Sequence, residues 1–384
     1  MPGTSARTVE PRAATPAETP RPRPAAILHP IVDFLCVGGL SIIVLVPLLV
    51  SGRADLAFIS VPAIVWTQYL LNYSHFMASY RIIYRDREMI LRHKWASLGI
   101  PLLLVGYGLV AFWQAQQGSP QLMGLLVGVG SAYLAWHYTG QVWGMIASYT
   151  YLSGNRFERA ERLLVRGSLR ILLAWHLAWF ARIWIGQTRV EEPFWLTPLY
   201  QAISAATIFA VLLGAAGIAK LWFRTGRLPP ARALVAWLAI FVWYAAMARW
   251  GIPALLLLVQ PAHALQYLEF PVRVELNRAA GRKAARVGRH MAIYLVVLLL
   301  ASFGIILLVP GPAMSVVANF LGVEANRAAP LLLLAFINIH HYFTDGVAWK
   351  LSNPEVRREL FAHVAREAAP VAAKRGSKGR RARR

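Results

Sequence analysis

The segment FINIHHYFTDGVAWK, residues 336–350, sets two adjacent histidines and an aspartate at the end of an apolar run, APLLLLAFINI. His341 and Asp345 are four residues apart, which puts both side chains on one face of a helix. HPIVD repeats the spacing with His29 and Asp33. A carboxylate so placed can fix the tautomer of a metal-bound imidazole from behind, or join the ligands itself. Neutral partners stand beside three more histidines: Asn72 and Ser79 flank His75 in NYSHFMASY, Gln141 follows His137 in WHYTGQVWG, and Gln266 and Tyr267 follow His263 in PAHALQYLEF. Nitrogen-rich sites suit Fe, Zn or Cu, whereas Mg and Ca prefer oxygen. The expected ligands are His75, His137, His263 and His341, with His340 beside them. His29, Asp33, Asp345, Tyr267, Gln141, Gln266 and Asn72 are expected as further ligands or as their hydrogen-bonding partners. His176, in LLAWHLAWFARIW, has no nearby acid and reads as a packed structural residue.

Those residues sit in an apolar chain. Of 384 residues 57% are hydrophobic and 15% charged, against roughly a quarter charged in a soluble domain. The apolar runs are continuous rather than alternating, which points to spanning helices and away from a barrel. The expected fold is all-α, a polytopic transmembrane bundle of about ten spans near 30–50, 56–79, 96–114, 122–149, 171–188, 199–222, 233–249, 252–270, 291–309 and 330–349. Residues 1–26 read as a disordered tail, 27–350 as the membrane domain, and 351–384 as an amphipathic helix followed by a basic tail. LSNPEVRREL carries the start signal of that helix, with Ser352 or Asn353 as cap and Pro354 at the first helical position. The single cysteine, Cys36, excludes a disulfide framework and a cysteine zinc cage.

Charge sets the orientation. All of the 40 Lys and Arg fall in the tails or beside the linkers after even-numbered spans, apart from Arg53, Arg182, Arg189, Arg249 and Arg327. The positive-inside rule then puts both termini in the cytoplasm of a bacterial-type inner membrane. It also explains the net charge of +23 as topology signal and headgroup affinity, so no nucleic-acid partner is expected. On this topology His29 opens the first span, and His75, His176, His263 and His341 lie roughly 6–15 Å inside the cytoplasmic boundary at ~1.5 Å per residue. Polar groups at membrane depth face the bundle interior and mark functional paths.

HPIVD, SHFMA, PAHALQY and HHYFTD are similar to patches of the Brp/Blh-like bacterial β-carotene dioxygenases, integral-membrane iron enzymes with histidines on several helices. Tyr267 stands where that family's pattern leads one to expect a second histidine a turn after His263, and this chain has more spans. The resemblance implies a non-haem iron oxygenase acting on a carotenoid or another apolar lipid, with an electron donor as a further partner. The residues themselves leave other readings open: zinc hydrolysis, b-type haem with quinone-linked electron transfer, and a transporter relaying protons through buried His and Asp.

Overall fold

The computed structural model describes residues 26–364, apart from 57, 120, 187–190, 282–286, 309–327 and 352. The expected N-terminal tail before residue 26, the basic tail after 364, and Arg189 and Arg327 lie outside the described residues.

Among the described residues the only regular structure is helical. The helices are α1 (Pro30–Val50), α2 (61–83), α3 (Arg87–Arg92), α4 (Trp95–Gln116), α5 (Gln121–Leu152), α6 (Arg159–Gly186), α7 (Leu196–Thr225), α8 (Ala231–Trp250), α9 (252–281), α10 (Val287–Leu308), α11 (Ala328–Ala348) and α12 (Pro354–Leu360). A long helix covers each of the ten expected spans. Six of them, α1, α4, α6, α7, α8 and α10, are long and apolar enough to cross a bilayer. The other four, α2, α5, α9 and α11, carry His75, His137, His263 and His341, and their imidazoles, amides and carboxyl groups lower the hydropathy. The bundle is apolar outside, where Leu102 and Leu103 on α4 and Ile208 and Phe209 on α7 are exposed, and polar at its centre.

Local chemistry sets the ends. Gly251 adopts φ +65°, which a side chain would resist, and closes α8; Pro253 follows in the first turn of α9. Gly217 lets α6 approach α7 closely, since a Cβ there would lie 2.8 Å from Val165 and 3.0 Å from the Glu161 carbonyl. Arg224 closes the same hairpin with a two-pronged pair to buried Glu161, at 2.6 and 2.8 Å.

Asn353 is the cap of α12, its side chain accepting from the Glu355 amide at 3.0 Å, with Pro354 at the first helical position. The helix is docked on the bundle. Leu360 is fully buried, and Asn277 of α9 donates to the carbonyls of Glu359 and Leu360 at 2.8 and 3.0 Å. Beside it Glu275 gathers His290 at 2.7 Å, Arg278 at 3.1 Å and Arg81 at 3.5 Å. Burial pushes the Glu275 carboxyl up, but the His290 hydrogen bond and the two guanidiniums outweigh it and hold it below the usual carboxylate range.

Candidate metal centre

The four polar helices meet around one point. α11 packs on α2 and α5, α9 packs on α2, and side-chain hydrogen bonds join α5 to α9. Wide π-turns at 68–73 and 255–259 stand just before Ser74-His75 and Gln260-Pro261-Ala262-His263. Such turns re-aim the face of a helix and recur at functional sites. Gln68 ties the two turns together, donating to the Leu256 carbonyl at 2.6 Å and to Gln260 at 3.1 Å.

His75, His137, His341 and Asp345 are all buried, and one ligand atom from each lies within 4.8 Å of all the others. The Asp345 Oδ2 is 3.3 Å from His341 Nε2, 3.6 Å from His137 Nε2 and 4.0 Å from His75 Nε2. Atoms bound about 2.0–2.2 Å from one ion lie roughly 3–4.3 Å from each other. The cluster thus needs only a slight contraction to hold a metal. Among the described residues neither ring nitrogen of His75 or of His341 has a hydrogen-bond partner, although these rings are 1% and 0% exposed. An unpaired buried polar atom costs about 1–3 kcal/mol. A cation taking one inward lone pair from each ring removes that cost for one nitrogen of each, so the residues present fit a metal ion.

His263 adjoins the four. Its Nε2 is 3.0 Å from His137 Nε2, and its ring lies 5.1 Å from His75. The short contact fits a hydrogen bond between neutral rings and equally fits two neighbouring ligands of one ion. Phe76, 4.6 Å from His341, and Tyr342, 4.8 Å from His137, wall the cluster with aromatic rings.

Asp345 was expected behind the imidazoles or among them; its Oδ2 lies among them. Gln141 and Gln266 support His263 from behind. Gln141 Nε2 donates to the His263 carbonyl and to Gln266 Oε1, each at 3.0 Å, and Gln266 Nε2 donates to the Val37 carbonyl at 2.7 Å. Val37 is able to accept because Gly38, at φ +140°, breaks the helical path of α1. A Cβ on Gly38 would also sit 2.3 Å from the Ala239 Cβ. Gly38→Ala should therefore cost about 3 kcal/mol, from backbone strain of roughly 1–3 kcal/mol plus overpacking. Thermal unfolding in detergent measures it; wild-type stability would contradict this account of the α1 break.

Five of the expected residues stand outside the cluster. His340 sits about 100° around α11 from His341, so its Nε2 meets the Ala96 carbonyl at 3.0 Å and Tyr84 at 3.3 Å, while its ring stacks on Tyr80. His29 and Asp33 build the start of α1 instead of a metal shell. Asp33 accepts the backbone amides of Ile27, Leu28 and His29 at 2.6, 2.9 and 3.0 Å, and His29 accepts from Ile31 at 3.4 Å. Asn72 donates to Gln68 at 2.8 Å, within the link between π-turns. Tyr267 packs its ring 4.5 Å from His75, but its hydroxyl bonds Ser79 and Trp349. His176 is packed and bonded to Tyr244 at 3.2 Å, as expected of a structural residue. Glu269 accepts from Tyr149 at 2.5 Å, and Arg273 donates to the Ile27 and Leu28 carbonyls.

Trp349 was missed as a supporting residue; its place one turn after Asp345 is the only trace it leaves in the sequence. Ser79, named beside His75, turns its hydroxyl to Asp345.

No protein-family model, curated protein or solved structure matches this chain.

Proposed function

We propose that this chain is an integral-membrane metalloenzyme, a non-haem iron oxygenase of an apolar lipid or isoprenoid. The observation that carries the reading is the buried convergence of His75, His137, His341 and the Asp345 Oδ2, with ring nitrogens of His75 and His341 that have no hydrogen-bond partner among the described residues. Several imidazoles with one carboxylate are a donor set suited to Fe(II), and the patches shared with the Brp/Blh-like dioxygenases lean the same way. Zn(II) accepts a similar set. When bound, iron supplies the activation of dioxygen. The protein's part is to hold the ion and exclude water: Phe76 and Tyr342 wall the cluster, and the apolar bundle surrounds it.

Haem b fits poorly. Its two axial histidines must face each other across a wide planar macrocycle, and the rings here pack directly on one another with centroids 4.2–6.3 Å apart. In our reading α2, α5, α9 and α11 also cross the bilayer, giving ten spans with both termini on the cytoplasmic face of a bacterial-type inner membrane. The near-complete confinement of Lys and Arg to one side supports this. An apolar substrate then arrives from the bilayer, and an electron donor from the cytoplasmic side.

Metal analysis and an optical spectrum of detergent-purified protein test the assignment. One iron per chain without a Soret band is expected. Zinc in its place would turn the reading to hydrolysis, a Soret band to haem. Metal-free protein that was never exposed to chelator would overturn the metalloenzyme and leave a buried proton relay.

A further inference from the structure

Behind the candidate metal ligands runs a line of three hydrogen bonds drawn from three helices. The Trp349 indole N–H donates to the Tyr267 hydroxyl at 2.5 Å, Tyr267 and Ser79 share a bond of 2.6 Å, and Ser79 Oγ donates to Asp345 Oδ1 at 2.7 Å. Ser79 is 0% and Tyr267 2% exposed, so water does not compete. The two ends fix the direction of the whole line. An indole nitrogen only donates, and a metal-bound carboxylate only accepts. Ser79 has a second acceptor, the His75 carbonyl at 3.2 Å. The charged carboxylate is nearer and forms the stronger bond, so the single serine proton points at Asp345. Tyr267 then gives its own proton to Ser79, or directly to Asp345, which it also reaches. Every O–H and N–H in the line points toward Asp345, and bonds aligned this way strengthen one another.

We propose that Ser79, Tyr267 and Trp349 are positioning residues that hold Asp345 as a one-oxygen ligand, with Oδ2 turned to the metal and Oδ1 kept out of its reach. This rests on the metal-site reading above and adds to it the binding mode of the carboxylate. His75, His137, His341 and Asp345 then supply one atom each, and coordination positions stay open for exchangeable ligands. It also accounts for a tyrosine at position 267. The residue works on the carboxylate directly and through Ser79, contacts an imidazole ligand there would not make.

Cobalt(II) is the probe, bound to the full-length, detergent-purified chain. Its affinity is measured by chelator competition. The separation of the two carboxylate stretches is read by infrared spectroscopy with 13C-aspartate, being wide for one-oxygen and narrow for two-oxygen binding. Wild type should give the wide separation. Tyr267→Phe and Ser79→Ala should lose roughly 10–100-fold in affinity and narrow the separation, whereas Ser79→Thr, which keeps a hydroxyl, should preserve both. Should Ser79→Ala fail to fold, Tyr267→Phe decides, because it keeps the ring against His75 and removes one oxygen. Wild-type affinity and separation in Tyr267→Phe, with cobalt lost in His341→Ala, would overturn the positioning role and leave the metal site standing. Weaker binding with an unchanged separation overturns it as well, since the line would then act through packing alone. A wild-type chain that takes up no cobalt would remove the site and this inference together.

Discussion

Replacing His341 by alanine should abolish metal binding, while the same change at its neighbour His340 should leave binding near wild type. The two residues are adjacent in sequence and both buried, at 0% and 4% exposure, so composition and depth do not separate them. Orientation does. His341 Nε2 is 3.3 Å from Asp345 Oδ2 and within the group that could share an ion, whereas His340 Nε2 faces the Ala96 carbonyl. Loss of a partner behind a ligand costs roughly 10–100-fold in metal affinity; loss of a ligand itself should exceed that range. Competition with a chelator, on protein checked for folding by its far-ultraviolet spectrum, measures both variants. Equal losses would mean that the facing of α11 is other than described here.

The second large effect is on stability. An ion that binds only the folded chain stabilises it by about 2.7 kcal/mol at 100 times its dissociation constant and about 4.1 kcal/mol at 1,000 times. Chelation should therefore lower the thermal midpoint of wild type, and added metal should restore it. His75→Leu should behave in the opposite sense. Its apo form should match or exceed apo wild type, because the change removes two buried ring nitrogens that lack partners and puts an apolar side chain beside Phe76, whose ring is 5.0 Å away. The same variant should show no response to metal. Thermal unfolding of both proteins with and without chelator gives the comparison. A His75→Leu chain that is far less stable than apo wild type would assign His75 a structural role.

How much of this was legible in the sequence depends on how far apart the partners are. Continuous apolar runs located the long helices among the described residues, six of them long and apolar enough to cross a bilayer. The four converging histidines were legible as well: each sits with polar residues a turn away in an otherwise apolar helix, a stripe that finds polar partners only inside the bundle. His340 shows where the signal ends. Adjacent residues point about 100° apart on a helix, and which of two neighbouring histidines faces the centre depends on the rotation of α11, set by its packing on α2 and α5. HPIVD misled for a related reason. His–Asp spacing of four has the same pattern whether the carboxylate meets an imidazole or, as with Asp33, the free amides at a helix start. Ser79, Tyr267 and Trp349 come together from positions 79, 267 and 349, and no local pattern announces contacts at that separation. Gly38 was silent too; its break in α1 matters only because Gln266, 228 residues on, uses the carbonyl of Val37 at a separation of 229.

The central claim is that imidazoles from distant parts of the chain grip one ion. X-ray absorption at the metal edge of as-purified protein tests it most directly. The expected result is a shell of nitrogen and oxygen only, near 2.0–2.2 Å, with the outer-shell scattering of several imidazoles, and no bound metal in His341→Ala. A spectrum with no imidazole scattering, or one with sulfur in its first shell, would contradict it.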